Sequence, residues 1–215
     1  MATSEPDLLK TSTTEALAIL LVAPPGAGKG TQADRLAQHY RIAHISSGAL
    51  LRENVAEATS IGTSAADYLS RGDLVPDDLV IEILTAPLLR AIDDGGFVLD
   101  GFPRTLSQAK AERFVRLVEG VALRFVIHLA VGQEELRRRL LARAAAQGRN
   151  DDTGDVVARR LEVFERETRP LIDYYTASDE LISVNGEQPV DLVFRDITEA
   201  LDALGASSLR AEGGI

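Results

Sequence analysis

The sequence predicts an α/β protein built on a doubly wound, parallel five-stranded sheet between two layers of helices. Short, continuously apolar runs alternate with longer stretches of helical periodicity along the whole chain. A glycine-rich turn joins the first apolar run to the first helix, and polar residues follow other runs directly. Because ligands of such sheets bind at the carboxyl ends of the strands, these polar residues indicate where the functional site lies.

The predicted strands are short and apolar throughout, as expected of parallel strands that are buried on both faces. They cover residues 16–22, 42–46, 96–100, 123–131 and 180–184. The predicted helices cover residues 29–40, 48–59, 63–70, 77–91, 106–118, 134–147, 156–175 and 189–203. Pro87 lies inside the fourth helix and is expected to kink or split it, because proline lacks a backbone N–H.

The composition is that of one ordinary globular domain. Of the 215 residues, 45% are hydrophobic and 26% are charged, and no apolar run reaches the roughly eighteen residues of a membrane span. The net charge of −10 argues against nucleic acid as a partner. The absence of cysteine excludes disulfides and thiolate metal sites and favours a cytoplasmic location. We expect a flexible extension over residues 1–15, a single domain over 16–204 and a frayed tail over 205–215.

Residues 22–32 form the glycine-rich turn, with the sequence VAPPGAGKGTQ. Glycines let backbone N–H groups turn inward, the helix N-terminus adds its positive dipole end, and Lys29 adds a full charge. Such an arrangement binds phosphate groups, so we interpret the turn as a P-loop rather than a plain connection between strand and helix. It departs from the general pattern G-x-x-x-x-G-K-[ST] at Ala23, which replaces the first glycine, and at Gly30, which separates Lys29 from Thr31.

A second motif, DGFPRT, begins at the end of the predicted strand 96–100. A strand that ends in aspartate beside a P-loop strand commonly holds magnesium through its water ligands, which predicts that role for Asp100. Arg104 would face the same crevice and bind an anion, which suggests that two phosphate groups meet there. Each residue taken singly also has an ordinary interpretation, in which Asp100 caps the strand end and Arg104 lies in solvent.

Five segments together resemble the successive signatures of adenylate kinases, which belong to the nucleoside monophosphate kinases. They read APPGAGKGTQ, ISSGALLR, GDLVPDDLV, DGFPRTLSQA and GRNDD…ARRL, and the resemblance runs from about residue 16 to residue 204. It implies a P-loop fold of three layers and reversible phosphoryl transfer from Mg·ATP to AMP, giving two ADP. It also implies Mg²⁺ as the cofactor and ATP, AMP and ADP as the partners, and we expect a monomer.

The resemblance assigns the candidate site residues to two nucleotide sites, a catalytic group and a metal site. The ATP site would consist of Gly26, Ala27, Gly28, Lys29, Gly30, Thr31, Arg143 and Gln188. The AMP site would consist of Ser47, Arg52, Asp73, Leu74, Val75, Gly101, Phe102, Pro103, Arg104, Gln108, Arg149 and Arg160. The catalytic residues around the transferred phosphate would be Lys29, Arg104, Arg143, Arg149 and Arg160, with Asp100 holding the metal through water.

The resemblance further implies two mobile segments that close over the nucleotides and exclude water. One is an AMP-binding segment over about residues 46–75, and the other is a short lid over about residues 142–152. Asp151 and Asp152 match a pair that braces the lid arginines in the family. Long-lid relatives carry a longer insertion, some with a four-cysteine zinc site, which the lack of cysteine excludes here.

Several further arginines precede and follow the lid. Arg139 and Arg143 are one helical turn apart and share a face. Arg137, Arg138 and Arg159 are compatible with a solvated helix surface.

Departures from the family pattern leave other interpretations open. Ala49 stands where the family usually has an aspartate that helps to order the waters of magnesium, so we expect a weaker magnesium dependence or a lower rate. Together with Ala23, it is compatible with a catalytically weak nucleotide-binding module. A kinase for another nucleoside monophosphate, such as CMP or UMP, is a further alternative. Gln108 can pair with adenine, and Thr105 replaces an asparagine typical of pyrimidine-specific relatives, so both favour AMP.

Overall fold

The computed structural model describes residues 16–111, 123–147 and 154–206. It contains one five-stranded sheet in the order β2-β3-β1-β4-β5, and every pair of neighbouring strands is parallel. The strands are β1 Leu17–Val22, β2 Ala43–Ser46, β3 Gly96–Asp100, β4 Leu123–Ala130 and β5 Leu181–Asn185. The predicted doubly wound parallel sheet is therefore confirmed.

Helices follow the strands as the sequence predicts, with most boundaries differing by a few residues; the predicted helical residues 112–118 lie outside the described residues. The helices are α1 Lys29–Tyr40, α2 Ser47–Ala56, α3 Ser60–Arg71, α4 Asp77–Asp93, α5 at residues 106–111, α6 Gln133–Gln147, α7 Gly154–Val163, α8 Pro170–Thr176 and α9 Val190–Ala203. None of these helices combines the length and the apolar composition that crossing a bilayer requires.

Two predicted helices differ from expectation in their continuity. The fourth helix is not split at Pro87, since α4 continues through it to Asp93, and the kink stays a prediction. The predicted helix over residues 156–175 is instead α7, a π-helical turn at Phe164–Thr168 and α8. Pro170 has no N–H to donate to the preceding turn, and the wider turn lets the Arg169 N–H donate to the Phe164 carbonyl at 2.8 Å.

The sheet lies between two apolar layers, which confirms the three-layer arrangement. On one face, Leu17, Ile19 and Leu21 of β1 pack with α1 and α9; on the other, Ala18 and Leu20 pack with α4 and α8. Every residue of β1 is buried, so the strand reads as a continuous apolar run. The glycine-rich turn thus leaves the centre of the sheet at its carboxyl edge.

At its C-terminal end, the packed chain reaches further than the sequence predicts. Residues 1–15 and 207–215 lie outside the described residues. Within the predicted tail, Ala206 is fully buried against the α1 and α9 face, so the packed chain extends two residues beyond the predicted boundary at residue 204.

Candidate active site

The glycine-rich turn connects β1 to α1 in a conformation that requires glycine at two positions. Gly26 and Gly28 have φ values of 87° and 94°, in the left-handed region. A Cβ on Gly26 would also lie 2.9 Å from Leu140 Cγ of α6. Ala23, by contrast, is not among the described residues with positive φ, so alanine fits that position without strain. Ala27 packs into the core rather than lining the site.

Lys29 is the first residue of α1 and its ammonium group bends back over the turn. Nζ donates to the carbonyl oxygens of Ala23 at 2.8 Å and Pro24 at 3.0 Å. Burial lowers the pKa of Lys29 to about 8; Asp100 opposes this shift, and neighbouring arginines, among them Arg104, add to it. The ammonium group is thus buried among like charges, which an anionic ligand would neutralise.

A cationic crevice opens at the carboxyl edge of the sheet, above the glycine-rich turn. Its cationic lining consists of Lys29, Arg52, Arg104, Arg139, Arg143 and Arg160. These side chains come from α1, α2, the segment after β3, α6 and α7, so the fold gathers them from distant parts of the sequence. Four of the five predicted catalytic cations meet here; the fifth, Arg149, lies outside the described residues, as do Asp151 and Asp152.

Asp100 ends β3 in register with Leu21 of β1 and lines the cationic crevice. Its Oδ1 atom is buried and has no hydrogen-bond partner among the described residues, while Oδ2 lies 4.0 Å from where a Cβ of Gly30 would sit. An unpaired carboxylate oxygen beside the turn fits a hydrated Mg²⁺, whose waters would donate to it. The described residues contain no group of three or more His, Cys, Asp or Glu side chains placed to hold a metal ion directly.

His44 is a residue of the crevice that sequence reasoning missed. Its Nδ1 lies 2.7 Å from Asp34 Oδ1, while its Nε2 is buried and has no partner among the described residues. The predicted strand 42–46 is mostly apolar, and a histidine in its middle was the signal that could have indicated this residue. Ala49 lines the same crevice, so the departure from the family pattern lies near Asp100.

A second depression, the apolar pocket, adjoins the cationic crevice. Its apolar walls are formed by Leu51, Leu69, Val75, Val80, Val163 and Phe164. Lys29, Arg52, Arg104 and Arg160 line both depressions. The two therefore form one continuous site whose charged centre lies between an open crevice and an apolar pocket suited to a flat, uncharged group.

The segment after β3 is fixed by hydrogen bonds to its backbone. Ser47 Oγ and Arg104 Nε both donate to the Gly101 carbonyl, at 2.7 and 2.9 Å. Thr168 Oγ1 donates to the Arg104 carbonyl at 2.9 Å. Burial lowers the pKa of Arg104, and Asp100 opposes that shift. The neighbouring Phe102 and Pro103 point into the interior rather than lining either depression.

The predicted AMP-binding residues Asp73, Leu74, Val75 and Gln108 line the apolar pocket together with Ser47 and Arg52. The Asp73 carboxylate accepts from Arg159 Nε at 2.8 Å and Arg71 Nε at 3.3 Å. These hydrogen bonds, chiefly that of Arg159, lower the pKa of Asp73. Arg159 is thus more than a solvated surface residue, since it joins α7 to the segment after α3.

The turn between β5 and α9 contains Gln188 and accepts a hydrogen bond from Arg139 of α6. Gln188 lines neither depression; its Nε2 donates to Asp196 Oδ2 at 2.7 Å. Arg139 does line the crevice and donates from Nη1 to the Gly186 carbonyl at 2.9 Å. Hydrogen bonds from Arg138 and Arg139 lower the pKa of Glu135 to about 2, so the carboxylate that orients Arg139 stays ionised.

Comparison with known proteins shows what the chain as a whole is similar to. The family model for adenylate kinase matches residues 21–180. The chain is 41% identical to the adenylate kinase of Nitrobacter hamburgensis over 202 residues, covering 91% of this chain and 97% of that protein. It is 44% identical to the adenylate kinase of Thermus thermophilus over 184 residues, covering 86% and 96%. It is 38% identical to the adenylate kinase of Bacteroides thetaiotaomicron over 188 residues, covering 87% of this chain and 100% of that protein. The chain belongs to the adenylate kinase family.

Proposed function

We propose that this protein transfers the terminal phosphoryl group of Mg·ATP reversibly to AMP, giving two ADP. The observation that carries the proposal is the sharing of Lys29, Arg52, Arg104 and Arg160 between the cationic crevice and the apolar pocket. A site for a single anion would need only one cationic depression. Two nucleotides that react through their phosphates need two depressions with a common charged wall. The relatives named adenylate kinase support the same reaction.

ATP would bind in the cationic crevice. The N–H groups of the turn over residues 26–31 would surround its phosphates, and Lys29 would leave the carbonyls that it now contacts to meet the β- and γ-phosphates. Arg143 would bind the γ-phosphate, and the turn at Gln188 would contact the adenine through its backbone. Mg²⁺ held through water by Asp100 would neutralise charge on the β- and γ-phosphates.

AMP would bind with its base in the apolar pocket and its phosphate towards the shared cations. Gln108 would pair with the base, and residues 73–75, Ser47 and residues 101–103 would shape the site around it. Arg52, Arg104, Arg149 and Arg160 would hold the AMP phosphate. No general base is required, because the attacking group is a phosphate oxygen that already carries negative charge.

Catalysis would then consist of positioning and charge stabilisation. An AMP phosphate oxygen forms a bond to the γ-phosphorus while the bond from that phosphorus to the β-phosphate oxygen breaks. Negative charge spreads over the three γ-oxygens as this happens, and the guanidinium groups of Arg104, Arg143, Arg149 and Arg160 oppose it. Closure of the segments over residues 46–75 and 142–152 would keep water from replacing AMP as the acceptor.

The remaining proposals concern the setting of the enzyme. We propose that it acts as a monomer in the cytoplasm on free nucleotides. The lack of cysteine supports that compartment, and the net charge of −10 disfavours nucleic acid as a partner.

A coupled assay of ADP formation tests the proposed reaction. We expect two ADP for each ATP consumed with AMP, and much slower product formation with GMP, CMP or UMP as acceptor. Replacing Lys29→Met should lower kcat/KM by about 10³-fold, the magnitude typical for loss of one group that stabilises developing charge. The matched control is Lys110→Met, an exposed lysine on α5, which should retain activity. ATP hydrolysis at an equal rate without AMP would contradict the proposal.

A further inference from the structure

The side-chain amide of Gln108 is held at both ends by groups of the protein. Its Oε1 accepts from the Arg104 backbone N–H at 2.7 Å, and its Nε2 donates to Asp77 Oδ1 at 2.6 Å. The residue is 3% exposed and lines the apolar pocket. Both contacts are short, so the amide has little freedom to rotate.

Chemistry fixes which end of this amide is oxygen and which is nitrogen. A backbone N–H can only donate, so the atom facing Arg104 N must be the carbonyl oxygen. An ionised carboxylate can only accept, so the atom facing Asp77 must be the NH₂ group. A flipped amide would set two donors against each other at Arg104 and two acceptors against each other at Asp77. The orientation is therefore dictated by its neighbours.

We propose that Asp77 is a specificity-determining positioning residue, which fixes Gln108 so that the site accepts 6-aminopurine and rejects 6-oxopurine monophosphates. The inference rests on the proposed function, because that function brings the acceptor base to Gln108. Asp77 touches no substrate in this arrangement and acts through the amide it holds.

The selection follows from the hydrogen-bonding positions that remain on the amide. Oε1 has a second lone pair and Nε2 has a second N–H. Adenine offers an amino donor at position 6 beside an acceptor at N1, and this pattern matches Oε1 and Nε2 as they are held. Hypoxanthine offers an acceptor at position 6 beside a donor at N1, so it would need the amide flipped. A freely rotating glutamine would serve both bases equally well.

A network of hydrogen bonds holds Asp77 in turn. It is the first residue of α4, and its Oδ2 accepts from Ser107 Oγ at 2.9 Å. The Ser107 hydroxyl has one proton and donates it to the carboxylate. Thr105 Oγ1 must therefore donate to Ser107 Oγ across their 2.8 Å contact. Thr105 Oγ1 then accepts from the Gln108 backbone N–H at 3.2 Å. Every polar group around the amide thus has a consistent direction.

The test compares AMP with IMP as acceptors at saturating Mg·ATP. Asp77→Asn keeps the shape but can present either a carbonyl oxygen or an NH₂ group, so the flipped amide is no longer opposed there. The ratio of kcat/KM for IMP to that for AMP should rise about tenfold, the lower end of what one hydrogen bond to a charged group contributes. Asp78→Asn is the matched control, with the same change of charge at the neighbouring, exposed position. It should leave the ratio unchanged.

The outcomes separate the two proposals. A wild-type protein that forms no ADP from ATP and AMP overturns the proposed function and this inference with it. An active wild type with an unchanged acceptor ratio in a folded Asp77→Asn protein overturns this inference alone. If Asp77→Asn does not fold, as judged by its thermal melting, Asp77→Ala removes the acceptor that opposes the flipped amide. An unchanged ratio in that variant overturns the inference equally, whereas a raised ratio supports it.

Discussion

The apolar pocket and the cationic crevice share a wall but are built on opposite principles. In the pocket, polar side chains already have protein partners, as Gln108 does with Asp77 and Arg104. In the crevice, Asp100 Oδ1 and His44 Nε2 are buried without a partner among the described residues. Under the proposed function the pocket would thus be preorganised to select a base, whereas the crevice keeps buried polar atoms whose partners a polyphosphate and its metal would supply.

The shared wall between the two regions gives the largest predicted effect. Arg160 lines both depressions, while its neighbour Arg159 binds Asp73 outside the charged centre. We expect Arg160→Met to lower kcat/KM by about 10³-fold, the lower end of the range for a guanidinium group at a transferring phosphate. Arg159→Met should cost a few-fold at most, because it loosens α7 from Asp73 without removing charge from the centre. Equal losses in the two variants, measured by initial rates, would contradict this division.

The next prediction concerns the charge of the crevice before any nucleotide binds. In the free protein the pKa of Lys29 is about 8, below its ordinary value of 10.5, chiefly because of burial. Bound phosphates favour the ammonium form, so binding raises this pKa. Affinity for ATP should therefore be complete below about pH 8 and fall as the pH rises above it, by up to tenfold per pH unit until the pKa of the complex is reached.

Isothermal titration calorimetry between pH 6.5 and 9.5 checks this expectation. At pH 8.5, binding should take up protons from the buffer, which gives a heat that depends on the ionisation enthalpy of the buffer. Lys29→Arg provides the comparison, because arginine stays protonated throughout the range. An affinity that is flat with pH in the wild type would show that the loop carbonyls of Ala23 and Pro24 already keep the ammonium group charged.

The same linkage acts on stability with a definite sign. The unfolded chain holds the Lys29 proton up to its ordinary pKa of 10.5, whereas the folded protein releases it near pH 8. Between those values the unfolded state binds more protons, so the contribution of Lys29 to stability rises with pH. The Lys29 ammonium group, which would serve catalysis, therefore lowers the free energy of unfolding at neutral pH.

The cationic crevice and the apolar pocket could not be predicted equally well from the sequence. Two parts of the cationic crevice could be predicted from local rules, because an apolar strand, a glycine turn and a helix start mark Lys29, and a strand end marks Asp100. Its other arginines, such as Arg52, Arg143 and Arg160, were assigned only by the resemblance to the family. The strand Gly96–Asp100 and the helix Lys29–Tyr40 were predicted with their observed bounds. Such signals lie within a few residues of one another and need no knowledge of the tertiary structure.

The hydrogen bonds that Asp77 and Asp73 make around the apolar pocket could not be predicted in the same way. Asp77 and Gln108 are 31 residues apart, and Asp73 and Arg159 are 86 apart. Both acidic residues have the sequence context of solvated positions near helix ends, so no local pattern identifies their partners. The π-helical turn at Phe164–Thr168 escaped for a similar reason, because helical periodicity alone does not reveal a one-residue widening before Pro170.

The smallest predicted effect tests whether the crevice lacks a second carboxylate to accept hydrogen bonds from the waters of Mg²⁺. Ala49 is exposed, lines the crevice with Asp100, and lies in the first turn of α2. Ala49→Asp adds a carboxylate near the waters of Mg²⁺ and should lower the Mg²⁺ concentration for half-maximal activity about threefold, as one exposed charge interaction contributes on the order of 0.5–1 kcal/mol.

The negative charge would also face the positive end of the α2 dipole, so thermal stability should rise slightly rather than fall. Ala49→Asn is the matched control, since it has the same shape without the charge and should shift neither the magnesium midpoint nor the melting temperature appreciably. If Ala49→Asp leaves the midpoint where it is in the wild type, Asp100 alone suffices to order the metal.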